Sequence, residues 1–130
     1  MPTGTFTVST SKARQLLDIT ALIQEGVAAS GIVDGVCHVY NPHTTAGLTI
    51  NEGADPAVQG DILAALQKIV PLLQYQHLEG NSPAHVMASL VGSSVTVFIE
   101  NGRLQLGTWQ KIFFCEFDGP RTRKILWRLA

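Results

Sequence analysis

Three histidines stand in stretches dense with turn-forming and polar residues, where a chain tends to carry the side chains that must reach a ligand. His43 follows Asn41-Pro42 at the end of a strand-like run and precedes Thr44-Thr45. His77 closes the irregular stretch Gln74-Tyr75-Gln76 ahead of Leu78-Glu79-Gly80-Asn81, and His85 falls in the first turn of a helix opened by Ser82-Pro83. Three neutral imidazoles converging from separate elements would leave one position open on a metal, the ligand count of catalytic zinc. His43, far upstream of the other two, completes no short metal motif, so a hydrogen-bonded histidine network fits the spacing as well. His38, mid-strand between Val36 and Tyr40, reads as structural.

Carboxylates and amides gather in the same segments. Glu52 ends a short strand beside Gly53, where no packing role is evident, and is the candidate for proton transfer together with His85. Asn81 and Ser82, at the start of the same helix, could present polar groups and free backbone N–H donors to an anion. Arg121, after Asp118-Gly119-Pro120, could grip a phosphate through its planar fork of donors. Trp109-Gln110, after Gly107-Thr108, is a further patch, in which Trp109 could be either a core residue or a platform for substrate. The group Arg121, Arg123, Lys124, Arg128 reads as a phosphate site or as a solvated strand face.

The elements that must position these residues follow from periodicity. Phe6 and Val8 alternate with polar neighbours, Val36 to Tyr40 is strand-like, and Leu48 and Ile50 continue beyond the Pro42–Thr45 break. Ile19, Leu22, Ile23 and Val27 follow helical spacing up to Gly31. Asp55-Pro56 opens a second helix with its apolar face on Val58, Ile62, Ala65, Leu66 and Ile69, ended by Pro71. Ser82-Pro83 opens a third, through Met87 and Leu90 to Gly92. Val95, Val97 and Ile99 then lead to Asn101-Gly102, a pair suited to a two-residue hairpin turn. Leu104 and Leu106, Ile112 to Phe117 and Ile125 to Leu129 supply later strands. The expectation is one compact α+β domain over residues 1–130, with a mixed or largely antiparallel sheet and about three helices.

Composition narrows the class of function. Hydrophobic residues make up 45% of the 130 positions and charged residues 15%, more apolar material than a small surface-rich domain needs, so either the core is generous or some of that surface is buried against another subunit. A net charge of −1 argues against a general grip on nucleic acid or an anionic membrane. No apolar run approaches the roughly 20 residues of a membrane span. The opening Met1-Pro2-Thr3-Gly4-Thr5 has neither a basic start nor an apolar stretch, which makes the cytoplasm the expected compartment. Cys37 and Cys115, each alone in an apolar run, read as buried free thiols.

Over nearly its whole length the sequence resembles the YjbQ-like (UPF0047) family. The resemblance is carried by Pro42-His43-Thr44-Thr45-Ala46 with Ile50-Asn51-Glu52, by Glu79-Gly80-Asn81 with Ala84-His85, and by Gly102 to Gln110 with Glu116 to Arg121. It implies a compact α+β domain assembled as a homotrimer. It also implies a weak thiamine-phosphate synthase activity, joining hydroxymethylpyrimidine diphosphate to a thiazole phosphate with loss of diphosphate. His43, His77 and His85 would share one divalent-metal site, with zinc the expected ion. A metal-dependent enzyme acting on a small phosphorylated metabolite is the expected function; a trimeric module that binds metal or anion without turnover, in a regulatory role, is the alternative.

Overall fold

The computed structural model describes residues 2–70 and 73–130. In chain order the elements are β1 (Thr3–Ser9), β2 (Gln15–Asp18), α1 (Thr20–Ser30), β3 (Gly35–Tyr40), β4 (Ala46–Glu52), α2 (Pro56–Ile69), α3 (Ser82–Val91), β5 (Ser94–Glu100), β6 (Arg103–Leu104), β7 (Gln110–Glu116) and β8 (Thr122–Leu129). Five strands form one sheet in the order β1-β8-β3-β5-β6 and three form a second in the order β2-β7-β4. Every described pairing is antiparallel. The α+β class and the antiparallel character expected from the sequence are therefore observed.

Strand β7 explains the layering. Its residues are buried on both faces from Ile112 to Glu116, because alternate side chains enter two different cores. Ile112 and Phe114 point between the two sheets, where they join Ile23 and Val27 of α1, Val39 of β3, Leu48 of β4 and Ile125 of β8. Phe113 and Cys115 point the other way, toward Ala84 and Met87 of α3, with Ile62 and Leu66 of α2 partly covering them. An uninterrupted apolar run is what such a strand requires.

Local signals account for most element ends. Asp55 accepts the Ala57 N–H at 2.9 Å and Pro56 opens α2. Gly31 closes α1 with φ 75°, a left-handed angle that favours glycine. Asn101 and Gly102 both take positive φ, 52° and 73°, in the β5–β6 hairpin, as its turn demands.

Three expectations are corrected. Asn81, not Ser82, holds the cap position of α3, and it makes no side-chain capping bond. Helix α2 has no fully buried residue among those described, and Ala65 and Ile69 of its expected apolar face are exposed. Leu106 falls outside β6, which is only two residues long. Strand β2 adds an element without a sequence signal, because Leu16 and Leu17 are too short a run to show a period. The stop assigned to Pro71 lies outside the described residues.

Candidate functional site

The loop between β3 and β4 is held by Asn41, which is almost wholly buried. Its Nδ2 donates to the Ala46 carbonyl at 2.7 Å and its Oδ1 accepts the His43 N–H at 2.9 Å. This clamp fixes the backbone of His43. The ring is fixed separately, because the Lys124 N–H of β8 donates to His43 Nε2 at 2.8 Å. A neutral His43 must then carry its proton on Nδ1, leaving Nδ1–H as its free donor. Burial and the nearby Arg123 charge hold its pKa below the ordinary histidine value, with Glu116 opposing in part. Protonating Nε2 would also break the bond to Lys124.

Beneath this loop lies a charged pair. Glu116, at the end of β7, is fully buried and Arg123 is only 4% exposed. Arg123 Nε donates to Glu116 Oε1 at 2.8 Å and Arg123 Nη2 donates to Oε2, while Nη2 also reaches the Thr45 hydroxyl at 3.0 Å. The Thr10 hydroxyl donates to Glu116 Oε1 at 2.8 Å and the Asp118 N–H donates to Oε2 at 3.1 Å. Burial alone would raise the Glu116 carboxyl, but these hydrogen bonds and the Arg123 charge outweigh it and hold the pKa below the usual carboxylate value. With Nε and Nη2 engaged, Nη1 of a rigidly held guanidinium remains for a ligand.

The third wall is the turn after β7 and the start of α3. Asp118 Oδ2 accepts from Asn81 Nδ2 and from Arg121 Nη2, both at 2.9 Å, and Arg121 Nε donates to the Asp118 carbonyl at 2.7 Å. Burial would raise the Asp118 carboxyl, but these bonds and the charges of Arg121 and Arg123 keep it low. His77 and His85 meet edge to face with ring centroids 5.3 Å apart, and His77 Nε2 lies 3.9 Å from a Glu79 oxygen. All of these groups open onto one cavity of about 450 Å³ that includes His43, His77, His85, Asn81, Arg121 and Arg123.

Five of the sequence-derived site residues therefore come together: His43, His77, His85, Asn81 and Arg121. Four do not line this cavity: Glu52, Ser82, Trp109 and Gln110. Glu52 pairs with Gln110 at the far end of the β4–β7 ladder, whereas Ala46 pairs with Glu116 at the cavity end. Six strand residues separate the two ends, about 20 Å. One Glu52 oxygen is buried there without a hydrogen-bond partner among the described residues, and Trp109 is 62% exposed. His38 is on the outer sheet face, hydrogen-bonded to the Thr96 hydroxyl at 3.2 Å, in keeping with its structural reading.

Glu116 carries no chemical reading in the sequence, and Arg123 enters there only as one of the basic group Arg121, Arg123, Lys124, Arg128. The signal was available: Arg123 alternates in step with the buried Ile125 and Leu129, whereas Lys124 and Arg128 take the opposite phase and face outward. The four basic residues are not one solvated face.

Three imidazoles around one cavity are chemically the donor set of an open zinc site. As arranged, they do not meet its geometry. Among the described residues no three His, Cys, Asp or Glu side chains come close enough to share an ion. The His43 Nε2 lone pair is also committed to Lys124. What the cavity offers directly is a set of N–H donors with positive charge behind them, suited to an oxyanion. Cys37 and Cys115 are free, and burial pushes their thiols up to about 11 and about 12, so neither is a ready nucleophile.

Fold and cavity together define a class: two-sheet antiparallel α+β proteins with a histidine- and arginine-lined pocket at one end of the smaller sheet. The chain belongs to the UPF0047, YjbQ-like family, whose model matches residues 4–130. It is 50% identical over 121 residues to UPF0047 protein MJ1081 of Methanocaldococcus jannaschii, covering 92% of this chain and 88% of that one. It is 49% identical to UPF0047 protein YugU of Bacillus subtilis, covering 92% of each. The crystal structure of a YjbQ/UPF0047 family protein from Clostridium acetobutylicum superimposes with a TM-score of 0.94 at 53% identity, over 97% of this chain and 98% of that one. A protein from Aeropyrum pernix matches with the same TM-score at 38% identity, over 100% and 98%. No described helix is long and apolar enough to cross a membrane.

Proposed function

We propose that the cavity binds the phosphoryl group of a small phosphorylated metabolite and that the protein is an enzyme acting on it. The carrying observation is Arg123: a buried guanidinium braced by Glu116, with Nη1 unspent beneath a cavity that also holds Arg121 and the Nδ1–H donor of His43. Donors fixed before the ligand arrives need no reorganisation when charge develops on phosphoryl oxygens. His85, whose ring has no hydrogen-bond partner among the described residues, takes the acid–base role. Glu52 is too far along β4 to share it within one chain.

A thiamine-phosphate synthase-like transfer would be one instance of this chemistry, since the departing diphosphate needs the same donors. The working unit in this reading is a homotrimer in the cytoplasm. Exposed Tyr40, Leu90, Phe98 and Trp109 support burial against further copies. A divalent metal, zinc for choice, on His43, His77 and His85 would require His43 to release Lys124 and the other two rings to turn toward it. A second reading, a regulatory module that holds an anion without turnover, is favoured by Glu116, whose two oxygens are both engaged and which is therefore poorly placed to move a proton.

Calorimetry with inorganic phosphate tests the binding: wild type is expected to bind, and Arg121→Ala to weaken binding at least about tenfold, the loss of one charge-assisted pair. Equal affinity in both proteins would refute it. Side-by-side assays of phosphate-ester hydrolysis and thiamine phosphate formation then separate enzyme from module. His85→Gln should abolish turnover with phosphate binding retained; binding without turnover in the wild type favours the module.

A further inference from the structure

A second cavity, of about 610 Å³, adjoins the first, and Glu79, Asn81 and Asp118 line both. Its outer wall carries Lys12 and Arg14 from the segment between β1 and β2. Arg14 is half-buried, and among the described residues neither cation makes a side-chain hydrogen bond or ion pair. An arginine at the wall of a cavity with no carboxylate paired to it keeps its planar fork of donors available for an anionic ligand. The acidic groups nearby do not serve. Asp118 is held by Arg121 and Asn81 through Oδ2, and Glu79 stands beside His77.

The segment bearing these cations is tied to the turn that builds the first cavity. The Gly119 N–H donates to the Ala13 carbonyl at 3.0 Å, and the Thr10 N–H donates to the Arg121 carbonyl at 2.9 Å. A Cβ on Gly119 would lie within 3 Å of the Lys12 carbonyl oxygen, the Thr10 hydroxyl oxygen and Glu116 Cγ, so only glycine permits this approach. The spacing between Arg14 and Arg121 is thereby fixed by backbone contacts. Between the cavities, Asn81 has its amide orientation set by donating Nδ2 to Asp118, which leaves Oδ1 buried and without a donor among the described residues.

We propose that the Lys12–Arg14 cavity is a second anion subsite, and that the ligand is a small metabolite with an anionic group at each end, spanning the wall of Glu79, Asn81 and Asp118 that the two cavities share. The inference rests on the phosphate reading of the first cavity for one end of the ligand. It adds the subsite that selects two-headed substrates over simple phosphate esters.

Calorimetry on the full chain with methylphosphonate and with alkanediyl bisphosphonates of increasing chain length is the test. Wild type should bind two methylphosphonates per chain, and one bisphosphonate length should bind at least about tenfold tighter than methylphosphonate, the modest end of the gain from linking two sites. Arg14→Ala should remove one methylphosphonate and return the bisphosphonate to the affinity of the single group. Lys12→Ala, at an exposed position, should weaken the bisphosphonate less but in the same direction. No bisphosphonate advantage at any length, or an unaltered Arg14→Ala protein, overturns the proposal. Loss of one phosphonate in Arg14→Ala with none lost in Arg121→Ala would support the second subsite while refuting phosphate binding in the first cavity, so the two readings fail separately.

Discussion

Glu116 and Arg123 form a doubly hydrogen-bonded pair out of solvent, Nε to Oε1 at 2.8 Å and Nη2 to Oε2, spanning the ends of β7 and β8. The two strands belong to different sheets. One ion pair thus ties the sheets together at the end where the cavity opens and sets the direction of the guanidinium beneath it.

Replacing one partner leaves the other buried and unbalanced. Glu116→Gln is expected to cost about 3–5 kcal/mol of stability, the range for breaking a buried pair from one side. It should also weaken phosphate binding, because Arg123 loses its brace. Urea unfolding followed by circular dichroism measures the first effect, and an unchanged midpoint would show that the pair does not hold the sheets.

The same pair predicts acid sensitivity. The Glu116 and Asp118 pKa values are lowered in the folded chain, so their contribution to stability is present above the ordinary carboxylate range, roughly pH 4, and is lost as pH falls through the folded values. Unfolding free energy measured from pH 6 downward should decline most steeply there. The Glu116→Gln variant should show a shallower decline.

His43 gives a separate signature at higher pH. Because its folded pKa is lowered, its contribution is complete above the unfolded value, about 6.5, and falls away as pH drops and the unfolded chain takes up the proton first. His43→Gln should flatten this part of the profile. Nitrogen NMR at neutral pH should find the proton on Nδ1; a proton on Nε2 would be inconsistent with the Lys124 bond.

Equilibrium dialysis against zinc tests the metal. If the three rings can rearrange to hold it, His43→Ala, His77→Ala and His85→Ala each lower zinc content at least about tenfold while His38→Ala does not. Equal retention in all four removes the metal centre.

Trp127 fills the space above two glycines. A Cβ on Gly4 would lie 2.2 Å from its ring and one on Gly26 2.7 Å, and an indole ring cannot yield as a flexible chain end can. Gly4→Ala and Gly26→Ala should each destabilise the protein by about 1–3 kcal/mol through overpacking. A thermal melt indistinguishable from wild type in either variant would mean that Trp127 has room to move.

The sequence by itself determined the elements whose signals are local. The Asp55-Pro56 cap, the Asn101-Gly102 turn, the Gly31 stop and the alternation in β1 and β5 each depend on neighbours a few residues away, and each stands where it was read. The histidines, Asn81 and Arg121 were legible as chemistry because such residues in turn-rich segments have little packing work to do. Which of them meet was decided by the tertiary structure alone. Glu52 sits only nine residues from His43, yet an extended strand carries it to the opposite end of a sheet. Arg123, eighty residues from His43, arrives beside it because β8 lies next to β3, and its neighbour Lys124 donates to the His43 ring. Strand order and register are set by how two cores close over β7, a property of the whole chain that no short window of sequence contains.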